Sequence, residues 1–469
     1  MILQKENNML NEEIMILNTN DIHSHLENLP KITRYITNQR KNNLLKGVES
    51  LTFDIGDALD RFHPLTEATN GKANIQLLNK LKLDGATIGN NEGLTNSHKQ
   101  LNQLYDEANF DVLLANLVDD QTGEIPNWAQ PAKIIVTAAK TRILVVGLTA
   151  PYDNTYPLIG WRVQDPFEVM KDILVKYKGQ YDIVILLSHL GLPTDRKLAK
   201  RFVELDVILG SHTHHLLVNG EVVNQSLLTG AGKWGQHIGT VHLTLNHHKI
   251  MQKTAQTISV DLIESKASDE IETNHYQQMG VELLKANQVA KLSFSMTPQL
   301  IGNSVIVNEA LKAEAHKAHT EAAIINTGLF LRGLPEGIVT QNDIHQMLPH
   351  AMRVMKVRLD GYNLWRLIQE MEKNRRFLIK FQQKGMGFRG KYFGELHYYG
   401  IRYDYEKHQL FWRGQLVSPI ETYEVAMPDH YLYIPFFPTI QIMGENTIYF
   451  DEDLRTVFAN YLAKQYPIK

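Results

Sequence analysis

Residues 206–214 read Asp-Val-Ile-Leu-Gly-Ser-His-Thr-His, a short apolar run that ends in two histidines separated by one residue. Much earlier in the chain, another apolar run ends in Asp21-Ile-His23. Imidazoles suit borderline divalent metals, and carboxylates bridge two ions and neutralise their charge. Residues of these types, delivered by the ends of several strands, predict a hydrolytic site that holds two metal ions.

The spacing within each pair adds to this prediction. Asp21 with His23, and His212 with His214, are separated by one residue. On an extended backbone, alternate side chains point to the same side. We therefore expect each pair to chelate a single metal or a close pair of metals.

The first half of the chain alternates between strand-like and helix-like segments. Strand candidates cover residues 14–21, 51–57, 86–90, 112–116, 143–147, 183–188 and 207–210. Apolar residues at helical spacing predict helices over 70–82 and 165–178. This alternation predicts an α/β domain, in which ligands bind at the carboxyl ends of the strands.

A change of pattern after His214 predicts a second domain. Residues 221–229 and 238–245 are typical of hairpin strands, and the polar stretch Ser265–Gln288 is typical of a linker helix. The segments beyond it predict a helix over 308–320, a strand over 322–326, a helix over 361–372 and an aromatic-rich β segment over 393–450. We place the first domain at residues 12–264, the linker helix at 265–290 and the second domain at 291–469.

Composition sets the general class of the protein. The 469 residues exceed what one core usually organises, and 43% hydrophobic with 21% charged residues is ordinary for globular chains. A net charge of −3 argues against nucleic-acid and anionic-membrane partners. No uncharged apolar stretch reaches the length of a membrane span, which is about 18 residues. Nothing in the sequence indicates a protein partner.

Cysteine is absent from the chain, which excludes disulfides, thiolate catalysis and zinc ribbons. Residues 1–13 carry charged and amide side chains and lack the apolar core and small-residue cleavage site of a secretory signal. This N-terminus predicts a cytoplasmic enzyme.

The remaining polar strand ends are ambiguous when each is taken alone. Gly56-Asp57 is compatible with an ordinary turn, and Gly89-Asn90-Asn91-Glu92 with a turn and helix cap. His189 is compatible with a hydrogen-bonded buried histidine. Taken together with the two pairs described above, they favour a shared metal site.

The order of these motifs resembles the calcineurin-like metallophosphoesterase superfamily over residues 14–215, and the whole chain resembles its 5′-nucleotidase branch. The family pattern is Asp-x-His, Gly-Asp, Gly-Asn-His-Glu, His and Gly-His-x-His, and this chain offers Asp21-Ile-His23, Gly56-Asp57, Gly89-Asn90-Asn91-Glu92, His189 and Gly210-Ser-His212-Thr-His214. The resemblance implies a four-layer αββα sandwich followed by an α+β substrate-binding domain.

The resemblance also implies a ligand set for two divalent ions. One ion is expected on Asp21, His23 and His214, the other on Asn90, His189 and His212, with Asp57 bridging them. Sites of this kind accept several metals; manganese or zinc is favoured here, and cobalt or iron is also compatible.

In the second half, Asn326-Thr-Gly328-Leu-Phe-Leu-Arg332 resembles the Asn-Gly-Gly-x-x-Arg segment of the same branch. The resemblance implies that Asn326 and Arg332 bind substrate and that later aromatic residues clamp a base. Phe393 and Tyr431, with Phe436 behind them, are the candidates for stacking. The alternative for these aromatic residues is a place in a β-sheet core.

The chain departs from the family pattern beside the ligand asparagine. Asn91 and Leu94 stand where the pattern has a histidine and its partner aspartate. Asparagine donates a hydrogen bond to a phosphoryl oxygen but cannot protonate a leaving oxygen, a role that contributes about 10²–10⁴-fold in rate. His25 and His215 are candidate substitutes, and the alternative for both is a solvent-facing position.

We therefore predict hydrolysis of a nucleotide or nucleotide-derived phosphate ester by a metal-bridging hydroxide, with Asp57, Asn91 and Arg332 as catalytic residues. Nucleoside monophosphates, nucleotide sugars, dinucleotides, cofactors bearing a diphosphate and 2′,3′-cyclic nucleotides remain open as the small-molecule substrate. The alternative function is a catalytically weakened, metal-retaining protein that binds or senses nucleotides.

Overall fold

The computed structural model describes residues 11–383 and 391–468. Residues 1–10, which carry most of the localisation prediction, lie outside the described residues. The chain divides into two compact units, Met1–Gly280 and Val281–Lys469.

The first unit alternates strands with helices. Its strands are β1 Asn11–Thr19, β2 Glu49–Asp54, β3 Gly85–Ala86, β4 Val112–Leu113, β5 Leu117–Asp119, β6 Ala129–Gln130, β7 Ala132–Val136, β8 Arg142–Thr149, β9 Trp161–Val163, β10 Ile183–His189, β11 Val207–Gly210, β12 Glu221–Val223, β13 Ser226–Gly230, β14 His237–Asn246 and β15 Lys249–Ser259. Its helices are α1 Leu29–Lys46, α2 Pro64–Thr69, α3 Lys72–Asn79, α4 Asn90–Thr95, α5 His98–Leu104, α6 Pro166–Lys176 and α7 Leu192–Arg201, and α8 Ala267–Lys285 runs across the division between the units.

Two sheets dominate the described part of this unit. One has the strand order β15-β14-β1-β2-β3-β4-β6, and the other has the order β12-β13-β11-β10-β8-β7. β1 to β4 run parallel in the first sheet, and β8, β10, β11 and β13 run parallel in the second. The loops that follow parallel strands meet at one edge of each sheet, so the polar strand ends are brought together there.

The two sheets bury a common core. Ile16 and Phe53 of the first sheet lie in one cluster with Val145 and Ile185 of the second. The opposite face of the second sheet packs against α6 and α7, for example through Met170. α1 packs against β2 of the first sheet, so the order of layers is helix, sheet, sheet, helix. The predicted αββα architecture is confirmed.

Each of the seven segments predicted as strands contains one, and the helices predicted over 70–82 and 165–178 are α3 and α6. The predicted carboxyl ends extend too far. β1 stops at Thr19 and β2 at Asp54, because the polar residues beyond them leave the extended conformation. The bends occur at the residues that the sequence marks as functional.

The second unit is an α+β domain. Its strands are β16 Gln288–Leu292, β17 Ala322–Asn326, β18 Gly337–Thr340, β19 Arg353–Asp360, β20 Leu396–Tyr399, β21 Ile401–Asp404, β22 Gln409–Trp412, β23 Gln415–Leu416, β24 Thr422–Pro428 and β25 Glu445–Asp453. Its helices are α9 Val305–Ala318, α10 Gln341–Met347, α11 Gly361–Lys380, α12 Pro438–Met443 and α13 Leu454–Gln465.

A sheet with the order β20-β17-β24-β19-β25 organises this unit. One face buries Ala310 of α9 and Phe458 of α13, and the other buries Leu364 of α11 and Ile440 of α12. The helix predicted over 361–372 is confirmed but continues to Lys380. Among the described residues, no helix is both long enough and apolar enough to cross a membrane.

One carboxyl group is buried in this unit without a partner. Glu314 of α9 is 0% exposed, and neither of its side-chain oxygens accepts a hydrogen bond from the described residues. Burial raises the pKa of Glu314 well above its ordinary value. The folded protein therefore holds this side chain as a neutral carboxylic acid, whereas an unfolded chain ionises it near pH 4.3, about the ordinary value for glutamate.

We predict that Glu314→Gln makes the second unit less sensitive to alkaline pH. A folded-state pKa above the unfolded one adds stability that is complete below the unfolded pKa and is lost as pH rises, by at most about 1.4 kcal/mol per pH unit. The free energy of unfolding of the variant, relative to wild type, should increase between pH 5 and pH 8. Hydrogen exchange of the β17 amides, recorded as a function of urea concentration, measures this free energy of unfolding at each pH.

Glu309→Gln on the same helix is the matched control, because the Glu309 carboxylate accepts a hydrogen bond from Lys312 Nζ at 2.7 Å. A Glu314→Gln difference from wild type that stays constant from pH 5 to pH 8 would contradict the assignment of a neutral buried acid.

Candidate metal centre

The candidate ligands lie where the two sheets present the carboxyl ends of their parallel strands. Thr19 pairs with Asp54 at the end of β1 and β2, and Ser188 pairs with Gly210 at the end of β10 and β11. The loops that leave these strand ends carry the motifs that the sequence singled out.

Two groups of side chains converge at this edge. Asp21, His23 and His214 form the first group; Asp57, His189 and His212 form the second. Within each group, one candidate ligand atom from every residue lies within 4.8 Å of the others. In the first group, His23 Nε2 lies 3.1 Å from His214 Nε2, and Asp21 Oδ1 lies 3.5 Å from His214 Nε2.

Asp57 connects the two groups. Its Oδ2 lies 3.4 Å from His189 Nε2 and 3.8 Å from His23 Nε2, one imidazole from each group. Asp57 is 2% exposed and His189 is 0% exposed. A carboxylate in this position is geometrically able to bridge two cations.

The backbone of the ligand pairs is not extended, which corrects the expectation drawn from their spacing. Asp21, His23, Asp57, His212 and His214 all have positive φ angles, of 49°, 48°, 51°, 71° and 57°. L-residues rarely adopt this left-handed region, and non-glycine residues held there store strain that clusters at functional sites. Convergence therefore comes from tight turns after the strands.

The donor set fits divalent cations. His189 Nδ1 donates to the carbonyl of Ile55 at 2.7 Å, which leaves Nε2 as the ligand atom. Asn90 Oδ1 is buried and accepts no hydrogen bond from the described residues. Asp21 Oδ2 accepts from Ser211 Oγ and from Asn20 Nδ2, both at 2.7 Å, so the carboxylate is fixed in orientation.

The electrostatics of the protein groups also favour positive charge here. Burial opposes ionisation of Asp57, but the charge of His189 prevails and holds the pKa of Asp57 far below its ordinary value. Burial likewise opposes protonation of His189, yet Asp57 and Asp21 raise the pKa of His189 to about 10. Burial lowers the pKa of His23, and burial together with His189 lowers that of His212 to about 4. His23 and His212 are therefore neutral, as metal ligands must be, whereas His189 carries a proton that a cation binding at its Nε2 would displace.

Glu92 anchors the loops that carry Asp57 and Asn90. Its Oε2 accepts from the backbone N–H groups of Asp57 at 2.9 Å and Gly89 at 2.8 Å, and its Oε1 accepts from Leu59 at 3.2 Å. Gly89 must lack a side chain, because a Cβ there would lie 2.1 Å from Asp57 Oδ1 and 2.5 Å from His189 Cε1. These contacts fix the positions of Asp57 and Asn90 relative to each other.

Asn91 bonds to neighbouring residues of the candidate site. Its Nδ2 donates to the carbonyl of Leu59 at 3.0 Å and lies 2.9 Å from His23 Nδ1, while its backbone N–H donates to Asp57 Oδ1 at 2.7 Å. Asn90 Nδ2 donates to its Oδ1 at 3.2 Å. The residue that replaces the family histidine therefore touches a member of each ligand group.

The two histidines suggested as substitute proton donors have other contacts. His25 Nδ1 lies 2.8 Å from Glu27 Oε1, and its ring lies between those of Phe62 and Trp234, at 5.2 and 4.8 Å. His215 is exposed, and its Nδ1 lies 2.8 Å from Thr213 Oγ1. Neither belongs to the two ligand groups.

The side chains predicted to clamp a base in the second unit are buried in this structure. Phe393 is 2% exposed and Tyr431 is 0% exposed, so neither offers a ring face to a base. Asn326, also 0% exposed, accepts from Tyr431 Oη at 2.8 Å and donates to the carbonyl of Phe393 at 2.6 Å. These hydrogen bonds join three segments inside the unit, and both aromatic rings lie in its hydrophobic core, which was the alternative for the aromatic pair.

Arg332 differs from these three residues, because it is exposed. Its Nη1 donates to Gln346 Oε1 at 2.8 Å. The side chain is accessible for binding an anion.

Sequence reasoning gave no role to three residues that shape the first unit's site. Glu92 and Ser211 belong to the motifs but had no predicted role, although Glu92 accepts from the backbone of Asp57 and Ser211 donates to Asp21. Trp234 has a φ of 63° and donates its backbone N–H to the Asp21 carbonyl at 2.6 Å. Glu92 and Ser211 lie within two residues of a predicted ligand in the sequence, which was a usable signal. Trp234 lies close to no predicted ligand in the sequence.

Comparison with known proteins gives a consistent result. A family model described as calcineurin-like phosphoesterase matches residues 14–216, and one described as 5′-nucleotidase, C-terminal domain, matches residues 283–433. The uncharacterized metallophosphoesterase YunD of Bacillus subtilis (strain 168) is 37% identical, over 97% of this chain and 100% of its own length.

Two solved structures are similar in fold across nearly the whole chain. A putative 5′-nucleotidase from Staphylococcus aureus matches with a TM-score of 0.67 and 16% identity over 98% of each chain. The NAD nucleotidase of Haemophilus influenzae matches with a TM-score of 0.64 and 16% identity over 97% of each chain. At such identities the similarity concerns the fold alone.

We predict that Glu92→Gln weakens metal binding. The amide presents N–H groups where the carboxylate presents only acceptors, so at least one of the three backbone donors loses its partner. Changing groups that orient metal ligands typically lowers affinity by about 10- to 100-fold. Isothermal titration with Mn²⁺ or Zn²⁺, with bound metal counted by elemental analysis, measures the effect.

Glu204→Gln, an exposed position in the same unit, controls for loss of one negative charge. Equal affinities in Glu92→Gln and wild type would show that the loop contacts do not govern the site.

Proposed function

Because the chain belongs to the calcineurin-like metallophosphoesterases, which are phosphoric ester hydrolases, we propose that it uses two divalent ions to hydrolyse a phosphate ester of a nucleotide or nucleotide derivative. The proposed ligands are Asp21, His23 and His214 for one ion and Asn90, His189 and His212 for the other, with Asp57 between them. Manganese or zinc is the proposed metal.

The observation that carries this proposal is the pair of ligand groups joined by one carboxylate. His23 and His189 belong to different groups, and both imidazoles lie within 3.8 Å of Asp57 Oδ2. A single-ion site would not need a second complete group of buried imidazoles around the same carboxylate. The donor types, burial and depressed pKa of the carboxylates all suit divalent cations.

Two divalent ions, when bound, lower the pKa of a water molecule and neutralise the charge of the phosphoryl oxygens for in-line displacement. The chain's own residues have the task of fixing geometry. Glu92 holds the Asp57 and Asn90 loops, and Ser211 with Asn20 orients Asp21. Such preorganised groups need no rearrangement as the reaction proceeds.

Asn91 acts in this proposal as a positioning residue. Its contacts with His23, Asn90 and Asp57 tie the two groups of ligands together. An amide supplies no proton to a leaving oxygen, so that proton must come from solvent or from the substrate. We expect departure of the leaving group to limit turnover.

The second unit supports the proposed substrate class. It matches the 5′-nucleotidase C-terminal domain, and Arg332 is its exposed candidate for holding the substrate's phosphate. A guanidinium binds a phosphate through two parallel hydrogen bonds, which fixes orientation as well as charge. The proposal includes nucleoside monophosphates, dinucleotides and nucleotide sugars as the substrates to test first.

We predict metal-dependent hydrolysis that is lost in Asp57→Asn, measured as phosphate from a monophosphate and as a monophosphate from a dinucleotide or nucleotide sugar. The substitution removes the negative charge between the two groups and replaces one oxygen by an N–H donor, so at least one ion should bind poorly. Protein stripped with a chelator and reloaded with Mn²⁺, Zn²⁺ or Co²⁺ is assayed against the substrates named above. Activity should appear only after reloading and fall to background in the variant.

Asp172→Asn, an exposed aspartate on α6, is the control for the loss of one carboxylate. Two bound equivalents of metal, without release of phosphate from a monophosphate or of a monophosphate from a dinucleotide or nucleotide sugar, would reject hydrolysis. The nucleotide-binding or sensor function would then take its place.

A further inference from the structure

An open cleft of about 670 Å³ lies in the first unit, between the end of α5 and the loop that joins β5 to β6. None of its lining residues belongs to either group of candidate metal ligands. Its volume falls within the range of small-molecule sites, which is about 300–1,000 Å³. Its lining includes two aromatic residues, one amide and three carboxylates: Tyr105, Trp128, Asn102, Asp106, Asp119 and Glu124. We call this feature the Trp128 cleft.

The indole ring of Trp128 is fixed at the wall of the cleft. It stacks on Tyr105, with 5.3 Å between ring centroids, and makes a T-shaped contact with Trp161 at 6.3 Å. Its Nε1–H donates to Asn102 Oδ1 at 3.0 Å. Tyr105 and Trp161 are buried, whereas Trp128 is half-exposed. The part of the indole that these rings leave uncovered borders the cleft, and a fixed ring loses little entropy when a ligand binds.

The loop after β5 is closed by hydrogen bonds around Asp119. Asp119 Oδ1 accepts from the backbone N–H groups of Gln121 at 2.9 Å and Thr122 at 3.1 Å. The Asp119 carbonyl accepts from the Gly123 N–H at 2.8 Å, and its N–H donates to the Glu124 carbonyl at 2.9 Å. Asp119 and Glu124 are thereby held on one compact turn.

The charged residues that line the cleft are all acidic. Asp106, Asp119 and Glu124 contribute carboxylates, and no lysine or arginine is among the described residues of the lining. The Thr122 N–H is the main influence that holds the pKa of Asp119 below its ordinary value, so this carboxylate is ionised at neutral pH. Its Oδ2 also lies 2.8 Å from His98 Nε2.

The neighbouring cations leave negative charge in the cleft. Lys72 Nζ lies 3.6 Å from Asp106 Oδ2, and Arg162 Nε lies 3.5 Å from Asp120 Oδ1, so both are already paired. Within the part of the chain that the structure describes, the Glu124 side chain forms no ion pair and accepts no hydrogen bond. A cationic ligand would supply the missing counter-charge.

An aromatic ring beside carboxylates suits an organic cation better than a metal ion. Cations are attracted to the faces of aromatic rings within about 6 Å of the centroid, and tryptophan attracts them most strongly. A metal ion needs several ligand atoms close together. Apart from the two groups at the candidate metal centre, the described residues offer no set of three such atoms within 4.8 Å of one another.

We propose that the Trp128 cleft binds an organic ammonium ion, with the cationic group against the Trp128 indole and beside the carboxylates of Asp119 and Glu124. Quaternary ammonium compounds are the ligand class, because an aromatic ring recognises their charge without needing an N–H donor. The site shares no residue with the candidate metal centre. The proposal goes beyond the proposed function and does not rest on it.

The test follows the indole N–H signals of the full chain, carrying isotope-labelled tryptophan, during titration with choline in the presence of a chelator. The chain has five tryptophans, and the Trp128 signal is the one that Trp128→Phe removes. Choline should shift this signal saturably. The neutral isostere of choline, in which carbon replaces nitrogen, should bind about two- to thirtyfold more weakly, the range for one contact between a cation and an aromatic ring.

Variants separate binding from a structural effect. Trp128→Leu should weaken choline binding, measured by isothermal titration, by about two- to thirtyfold. Trp128→Phe keeps a ring against Tyr105, so it should retain part of the affinity and the unfolding temperature of wild type. Glu124→Gln should weaken choline but not its neutral isostere. Trp365→Leu is the matched control, because Trp365 is a half-exposed tryptophan whose Nε1–H also donates a hydrogen bond, to the His408 carbonyl at 3.0 Å.

Three results would overturn the proposal. The first is the absence of a saturable shift of the Trp128 signal with choline. The second is an equal response to choline and its neutral isostere, which would mark an apolar cleft without preference for charge. The third is equal choline affinity in wild type, Trp128→Leu and Trp365→Leu.

Discussion

The carboxylate of Asp57 imposes the constraint on which the first unit depends. It is 2% exposed and stays ionised, which in a protein interior requires a compensating positive charge. The imidazole of His189, whose pKa is raised to about 10 by Asp57 and Asp21 against the effect of burial, lies 3.4 Å from it and supplies that charge. The surrounding loops are ordered by Glu92, a buried carboxyl whose pKa is raised to about 7 by burial and then by Asp57. Four-layer packing makes this possible, because the parallel strands of the two sheets deliver their carboxyl ends to a common edge.

Convergence at that edge is obtained at the cost of backbone strain. Asp21, Asp57 and His212 occupy left-handed conformations that most residues avoid, at roughly 1–3 kcal/mol each. The strain is sustained by contacts further out, such as the Trp234 N–H on the Asp21 carbonyl and the Glu92 carboxylate on three backbone donors. These contacts explain why residues that bind nothing directly belong to the same functional unit as the ligands.

The residues predicted to bind substrate in the second unit differ in exposure. Asn326 and Tyr431 bond to each other inside the core, so two residues with a binding signature serve the fold. Arg332, by contrast, is exposed. Of the predicted substrate-binding residues, the structure therefore buries Asn326, Phe393 and Tyr431 and exposes Arg332.

The sequence by itself determined the α/β class of the first unit and the residue types of the candidate metal centre, because apolar runs set the strands and polar residues follow them at sheet edges. The αββα layering followed from the resemblance of the motifs to a known family. The sequence could not determine that Asp21 and His23 turn through left-handed conformations, since that depends on Trp234 and Gly56 from distant segments. Nor could it determine which aromatic residues are buried, because Phe393 and Phe377 differ in packing and not in residue type. Local patterns fix secondary structure and residue chemistry, whereas exposure and side-chain partners arise only when segments far apart in the chain pack together.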